Sequence, residues 1–174
     1  MRNMGPILSE KMDGTTLVVG KSGASLKDMH SIILDYLNSY DNSPSNIVLF
    51  IAGNDCGRKI EMKYVNANYD KLLDDIHRKC PNATIFVSLV PPTRHTYEIN
   101  TRICTLNHHL DKVAALKRSY VISVRAASCD LNHYYWDKQR NRHDIHLNMF
   151  GKRLYVDKVV SCIKNFRRIP AHVN

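Results

Sequence analysis

What most constrains this chain is an alternation. Short runs that are apolar at nearly every position recur at TTLVVG (15–20), NIVLFIAGND (46–55), ATIFVSLVPP (83–92) and YVISVRAAS (120–128). Stretches of helical spacing separate them. SLKDMHSIILDYLNSY (25–40) places Leu26, Met29, Ile32, Ile33, Tyr36 and Leu37 on one face of an amphipathic helix. Residues 62–79 do the same with Tyr64, Val65, Tyr69, Leu72, Leu73 and Ile76, and residues 100–119 with Ile103, Leu106, Leu110, Val113 and Leu116. A closing helix is predicted over 147–166. Strands without polar alternation are covered on both faces. Strands alternating with helices predict a parallel sheet between two helical layers, a three-layer α/β/α fold.

Residues 2–12 carry Met4, Ile7, Leu8 and Met12 at helical spacing, with no apolar run before them. The pattern therefore opens inside a strand–helix unit. The length of 174 residues fits one domain, 1–174, and no repeat or linker divides it.

Five scattered cysteines (Cys56, Cys80, Cys104, Cys129, Cys162) have no paired spacing. That pattern argues for reduced thiols and against a disulfide scaffold or zinc module. The first residues lack the apolar core of a signal peptide, and no run approaches the ~20 residues of a membrane span. An intracellular, cytoplasmic location is expected. The net charge of +9 suits either an acidic partner or a plainly basic surface. Basic KQRNRH (138–143) lies near Tyr134, Tyr135 and Trp136, a combination that could serve nucleic acid, since aromatics stack bases and Lys/Arg meet phosphates.

Ligands of open α/β sheets bind beyond the C-terminal strand ends. Three segments there are distinctive: GKSGAS (20–25), GND (53–55) and RHDIHLN (142–148). Gly23 can bring a backbone N–H close to a developing oxyanion, and Asn54 can add a side-chain N–H. His146 suits a general base oriented by a nearby carboxylate. Each also has a plainer reading. Asn54 would supply turn geometry, Ser25 would cap the next helix, and His146 would be a polar helix-start residue. His143, Asp144 and His146 have no evident third partner for a metal. GTTLVVGKS fails as a phosphate-binding loop, because the apolar run lies between its glycines.

In this order and spacing, GKSGAS, AGND and DIHLN resemble blocks of the SGNH (GDSL-type) hydrolase superfamily, over nearly the whole chain. The resemblance implies a flavodoxin-like α/β/α fold and hydrolysis of carboxylic esters through an acyl-serine, with no cofactor and a small ester as substrate. It assigns Gly23 and Asn54 to the oxyanion hole and His146 to the base. The superfamily's nucleophile lies in a G-D-S turn after a first strand. Here the first helix opens the sequence, so that strand and serine are expected to be missing from residues 1–174. The superfamily's acid stands three residues before the histidine, which is His143 here, while Asp144 stands two before. Little or no hydrolase activity is therefore expected of residues 1–174. The alternative is a basic binding module for nucleic acid or protein, derived from the same fold.

Overall fold

The computed structural model describes residues 4–12, 16–39, 43–58, 60–93, 96–123 and 147–167. In chain order the elements are α1 (Met4–Lys11), α2 (Leu26–Ser39), β1 (Asn46–Leu49), α3 (Gly53–Gly57), α4 (Met62–Lys79), β2 (Thr84–Ser88), α5 (Tyr97–Leu116), β3 (Tyr120–Ile122) and α6 (Met149–Arg167). The strands form one parallel sheet in the order β1-β2-β3. Its register runs from Asn46↔Thr84 to Leu49↔Val87, and from Phe86↔Tyr120 to Ser88↔Ile122.

Successive side chains along these strands enter opposite cores, as the two-residue period of a strand requires. Ile85, Val87 and Leu89 join Leu72, Leu73, Ile76, Leu106 and Leu110 from α4 and α5. Phe86 and Ile122 join Tyr155, Val156, Val159 and Ile163 from α6, where Ile7, Leu8 and Met12 of α1 also pack. The sheet is thus covered on both faces, as the continuous apolar runs predict. Phe166 closes the second core, edge-on to Tyr120 with ring centroids 4.4 Å apart.

The helical layer around α4 is tied by charge as well as packing. His30 of α2 meets Asp75 at 2.8 Å, and His109 of α5 meets Asp70 at 2.6 Å.

Within the 15–20 run, the described residues 16–20 form no strand. Residues 16–20 pair with no strand among the described residues, and Leu17 and Val18 remain 51% and 46% exposed. A strand needs a hydrogen-bonded neighbour, and the described sheet, in the order β1-β2-β3, does not include this segment. Two inward assignments also fail. Tyr64 is 55% exposed, being one residue and about 100° off the buried row headed by Val65. Lys63 lies over its ring, 4.8 Å from the centroid. Leu116, at the last position of α5, is 83% exposed.

Strands β1 and β2 are shorter than their apolar runs. Beyond β2 the chain enters Pro91 and Pro92, which have no N–H to give a ladder. Two asparagines of α5, seven residues apart and so on one face, continue the pairing. Asn107 accepts from the Val90 N–H (2.9 Å) and donates to the Val90 carbonyl (2.8 Å). Asn100 does the same for Thr93, at 2.8 and 2.9 Å. The segment after β2 is thereby fixed to α5.

Candidate active site

The site begins with two backbone features that only local chemistry permits. Gly23 has φ +71°, and a Cβ built on it would meet nothing within 4 Å. The left-handed conformation, more than crowding, calls for glycine there. Ala52, where the β1 segment ends, has φ 71° as well. A non-glycine residue rarely adopts this conformation. The positive φ thus falls on Ala52. Asn54 itself sits in the first turn of α3, not in the Gly-Asn turn that its neighbours suggest.

The two segments are joined. Asn54 Nδ2 donates to the Ala24 carbonyl at 2.8 Å. An amide nitrogen has two hydrogens, so one remains for another acceptor. Arg58, just past α3, donates to the Gly23 carbonyl at 2.6 Å. Asp55 Oδ2 accepts the Leu26 N–H at 2.9 Å, in a buried contact. Three consecutive stretches of the 23–26 loop are therefore held by residues 54–58.

That short helix is in turn held by α5. Arg102 Nε donates to the Cys56 carbonyl at 2.9 Å, and its Nη2 bonds the carbonyls of Asp55 (3.4 Å) and Ile60. A cation placed on the carbonyls at a helix C-terminus also meets the negative end of its dipole. Neither Arg58 nor Arg102 carries a signal in the sequence that would have marked it. Asp55 was visible in the N-D pair but gave no hint of its contact with α2.

Burial sets the protonation of this corner. Desolvation raises the Asp55 carboxyl above the ordinary aspartate value, opposed by the Leu26 amide and by Arg58. Burial pushes the Cys56 thiol up to about 12, so it is a neutral packing residue.

Ser25 is engaged as a helix cap. Its hydroxyl accepts the Asp28 N–H at 3.2 Å, while Asp28 Oδ2 accepts the Ser25 N–H at 2.8 Å. This reciprocal pair is a capping box at the start of α2. The Ser25 hydroxyl also donates to the same carboxylate at 2.7 Å. These bonds, the Ser25 N–H first, hold the Asp28 carboxyl below its ordinary value. Ser22 is exposed in the preceding turn.

Asn54 thus reaches Ala24, the residue next to Gly23. His143, Asp144 and His146 lie outside the described residues. The far end of their motif is described: Asn148 Oδ1 accepts the Gly151 N–H at 2.9 Å and caps α6, and Leu147 packs in the second core. Among the described residues no cluster of three His, Cys, Asp or Glu side chains could hold a metal ion. Nor is any helix among them long and apolar enough to cross a membrane.

A parallel sheet between helical layers, with a glycine loop and an asparagine helix start joined at its rim, defines a flavodoxin-like α/β hydrolase fold of the SGNH type. The chain belongs to the GDSL-like lipase/acylhydrolase family, whose pattern matches residues 2–154. Similar solved structures share the fold. One is a lipolytic protein of the G-D-S-L family from Veillonella parvula, with 18% identity and TM-score 0.77 over 97% of this chain and 91% of that one. Another is the psychrotrophic esterase EstA from Pseudoalteromonas, with 14% identity and TM-score 0.70 over 91% and 81% of the two chains. A third is the family 3 carbohydrate esterase of Clostridium thermocellum, with 21% identity and TM-score 0.63 over 85% and 69%. No curated protein matches the chain.

Proposed function

We propose that this chain carries the carbonyl-binding part of an ester hydrolase site, with a small acetyl or short-acyl ester as its ligand. The observation that carries the reading is the 2.8 Å bond from Asn54 to the Ala24 carbonyl, which sets an amide donor beside the left-handed Gly23. Donors fixed in advance near a carbonyl oxygen favour the charge that develops there during acyl transfer. His146 would act as general base, with Asp144 as its orienting acid. The esterases among the structurally similar proteins support this choice of substrate class.

Turnover by residues 1–174 alone is proposed to be low or nil. Ser25 is committed to its cap, and Asp144 is displaced by one residue from the family position. The test is hydrolysis of p-nitrophenyl acetate by purified residues 1–174. Turnover that His146→Ala abolishes would overturn the proposal of inactivity and support catalysis.

A second reading rests on the charge of +9. A basic domain of this fold would bind single-stranded nucleic acid through phosphate contacts. Binding that weakens with salt, and with charge reversal at Arg140 and Arg142, supports that reading. No mobility shift at low salt removes it.

A further inference from the structure

We propose that Asp55 is a positioning residue for the Gly23–Asn54 pair, acting through the first amide of α2. The proposal rests on the oxyanion reading above and adds how that pair is held.

The first N–H groups of a helix have no partner within it and must find one elsewhere. At the start of α2, Ser25 meets the amide of Asp28. The Leu26 amide is met from another element, by Asp55 of α3. Asp55 is 3% exposed, while Asn54 beside it is open to solvent. Residues 54 and 55 therefore grip Ala24 and Leu26 at two successive points, one by an amide and one by a carboxylate. Gly23, whose carbonyl accepts from Arg58, ends that gripped stretch. If the Asp55 bond is lost, the start of α2 loses its hold, the loop is kept only by its Gly23 and Ala24 carbonyls, and the spacing of the two donors is free to vary.

The charges around Asp55 come from each neighbouring element. Arg58 follows it on its own segment and reaches the Gly23 carbonyl. Asp28 faces it from α2. Arg102 approaches from α5, onto the Asp55 backbone carbonyl. Cys56, next in sequence, is a buried thiol. The carboxylate also faces the positive end of the α2 dipole. Its bond to Leu26 is strongest when ionised, since charged acceptors make the stronger hydrogen bonds.

The experiment uses ¹⁵N-labelled residues 1–174 and follows the Leu26 and Gly23 amides and the Asn54 side-chain amide from acid to neutral pH. All three are expected to share one titration step, above the ordinary aspartate range. Asp55→Asn keeps the size and an acceptor oxygen but cannot ionise, and the shared step should disappear. Asp28→Asn should leave it in place. In Asp55→Leu, exchange of the Leu26 amide should quicken roughly tenfold or more. If Asp55→Leu does not fold, the pH comparison with Asp55→Asn decides alone. The proposal is overturned if Gly23 and Asn54 follow the same pH curve in Asp55→Asn as in the unaltered chain. It also fails if Asp28→Asn is the change that removes the step. Sodium acetate, added separately, tests the underlying reading. If acetate moves neither Gly23 nor Asn54, the oxyanion role fails, while loss of the step in Asp55→Asn still upholds the coupling.

Discussion

Asn107 holds Val90 by both of its backbone groups, accepting from its N–H at 2.9 Å and donating to its carbonyl at 2.8 Å. One side chain here meets both backbone groups of Val90 as a neighbouring strand would. Val90 is also the closest side chain to Gly53, its Cγ1 lying 3.7 Å from where a Cβ would be. The clamp therefore fixes the Val90 side chain against the start of α3.

Asn107→Ala should destabilise the chain by about 1–3 kcal/mol, because two backbone groups of a buried residue lose their partners. Asn107→Asp keeps the acceptor for the Val90 N–H but loses the donor, and should cost as much or more, since it sets a charge beside a carbonyl. Urea unfolding measures both. A loss below about 0.5 kcal/mol for the alanine variant would show that water satisfies Val90 equally well.

Ser25→Ala should cost about 1 kcal/mol, the usual worth of an N-cap. It should also let the Asp28 carboxyl rise toward its ordinary value, because the Ser25 hydroxyl bonds are lost. The sign follows. A carboxyl held low in the folded chain stabilises it above the unfolded value, and that contribution fades as pH falls through the folded value. The acid side of the stability profile should therefore be flatter in Ser25→Ala. NMR titration of the Asp28 carboxyl carbon in the two proteins measures the shift directly.

The described cysteines should differ in reactivity. Cys104 is exposed on α5, while Cys56 and Cys80 are buried at 0% and 2% exposure. Burial also pushes the Cys56 thiol to about 12, so almost no thiolate forms at neutral pH. Under native conditions an aromatic disulfide reagent should modify Cys104 first. Cys56 should react only on unfolding. Peptide mass mapping over time distinguishes this from rapid modification of Cys56, which would mean that α3 opens often.

Leu17 and Val18 stand half exposed in an unpaired segment. Leu17→Lys and Val18→Lys should each change stability by no more than about 0.5 kcal/mol. If either costs several kcal/mol, residues 16–20 are buried against a strand in solution. Thermal unfolding of the two variants is sufficient to tell.

Much of this architecture was legible in the chain itself. The 62–79 helix has the bounds that its periodicity predicts, because apolar residues at i, i+3, i+4 and i+7 leave only one way to bury them. The parallel sheet followed from runs apolar on both sides. Ser25 as a cap followed from its place before a helical pattern.

Sequence by itself determined the elements and their faces, because local spacing dictates which side of a helix or strand is apolar. Tertiary structure alone decided which apolar run became a strand. TTLVVG reads like the others, yet a strand requires a hydrogen-bonded neighbour, and residues 16–20 have none among the described residues. It alone decided, too, that Arg102 would grip α3, that Asp55 would cap α2 and that Asn107 would meet both backbone groups of Val90. Each of those bonds joins residues 17 to 47 positions apart, and no local pattern records which distant partner a polar side chain will meet.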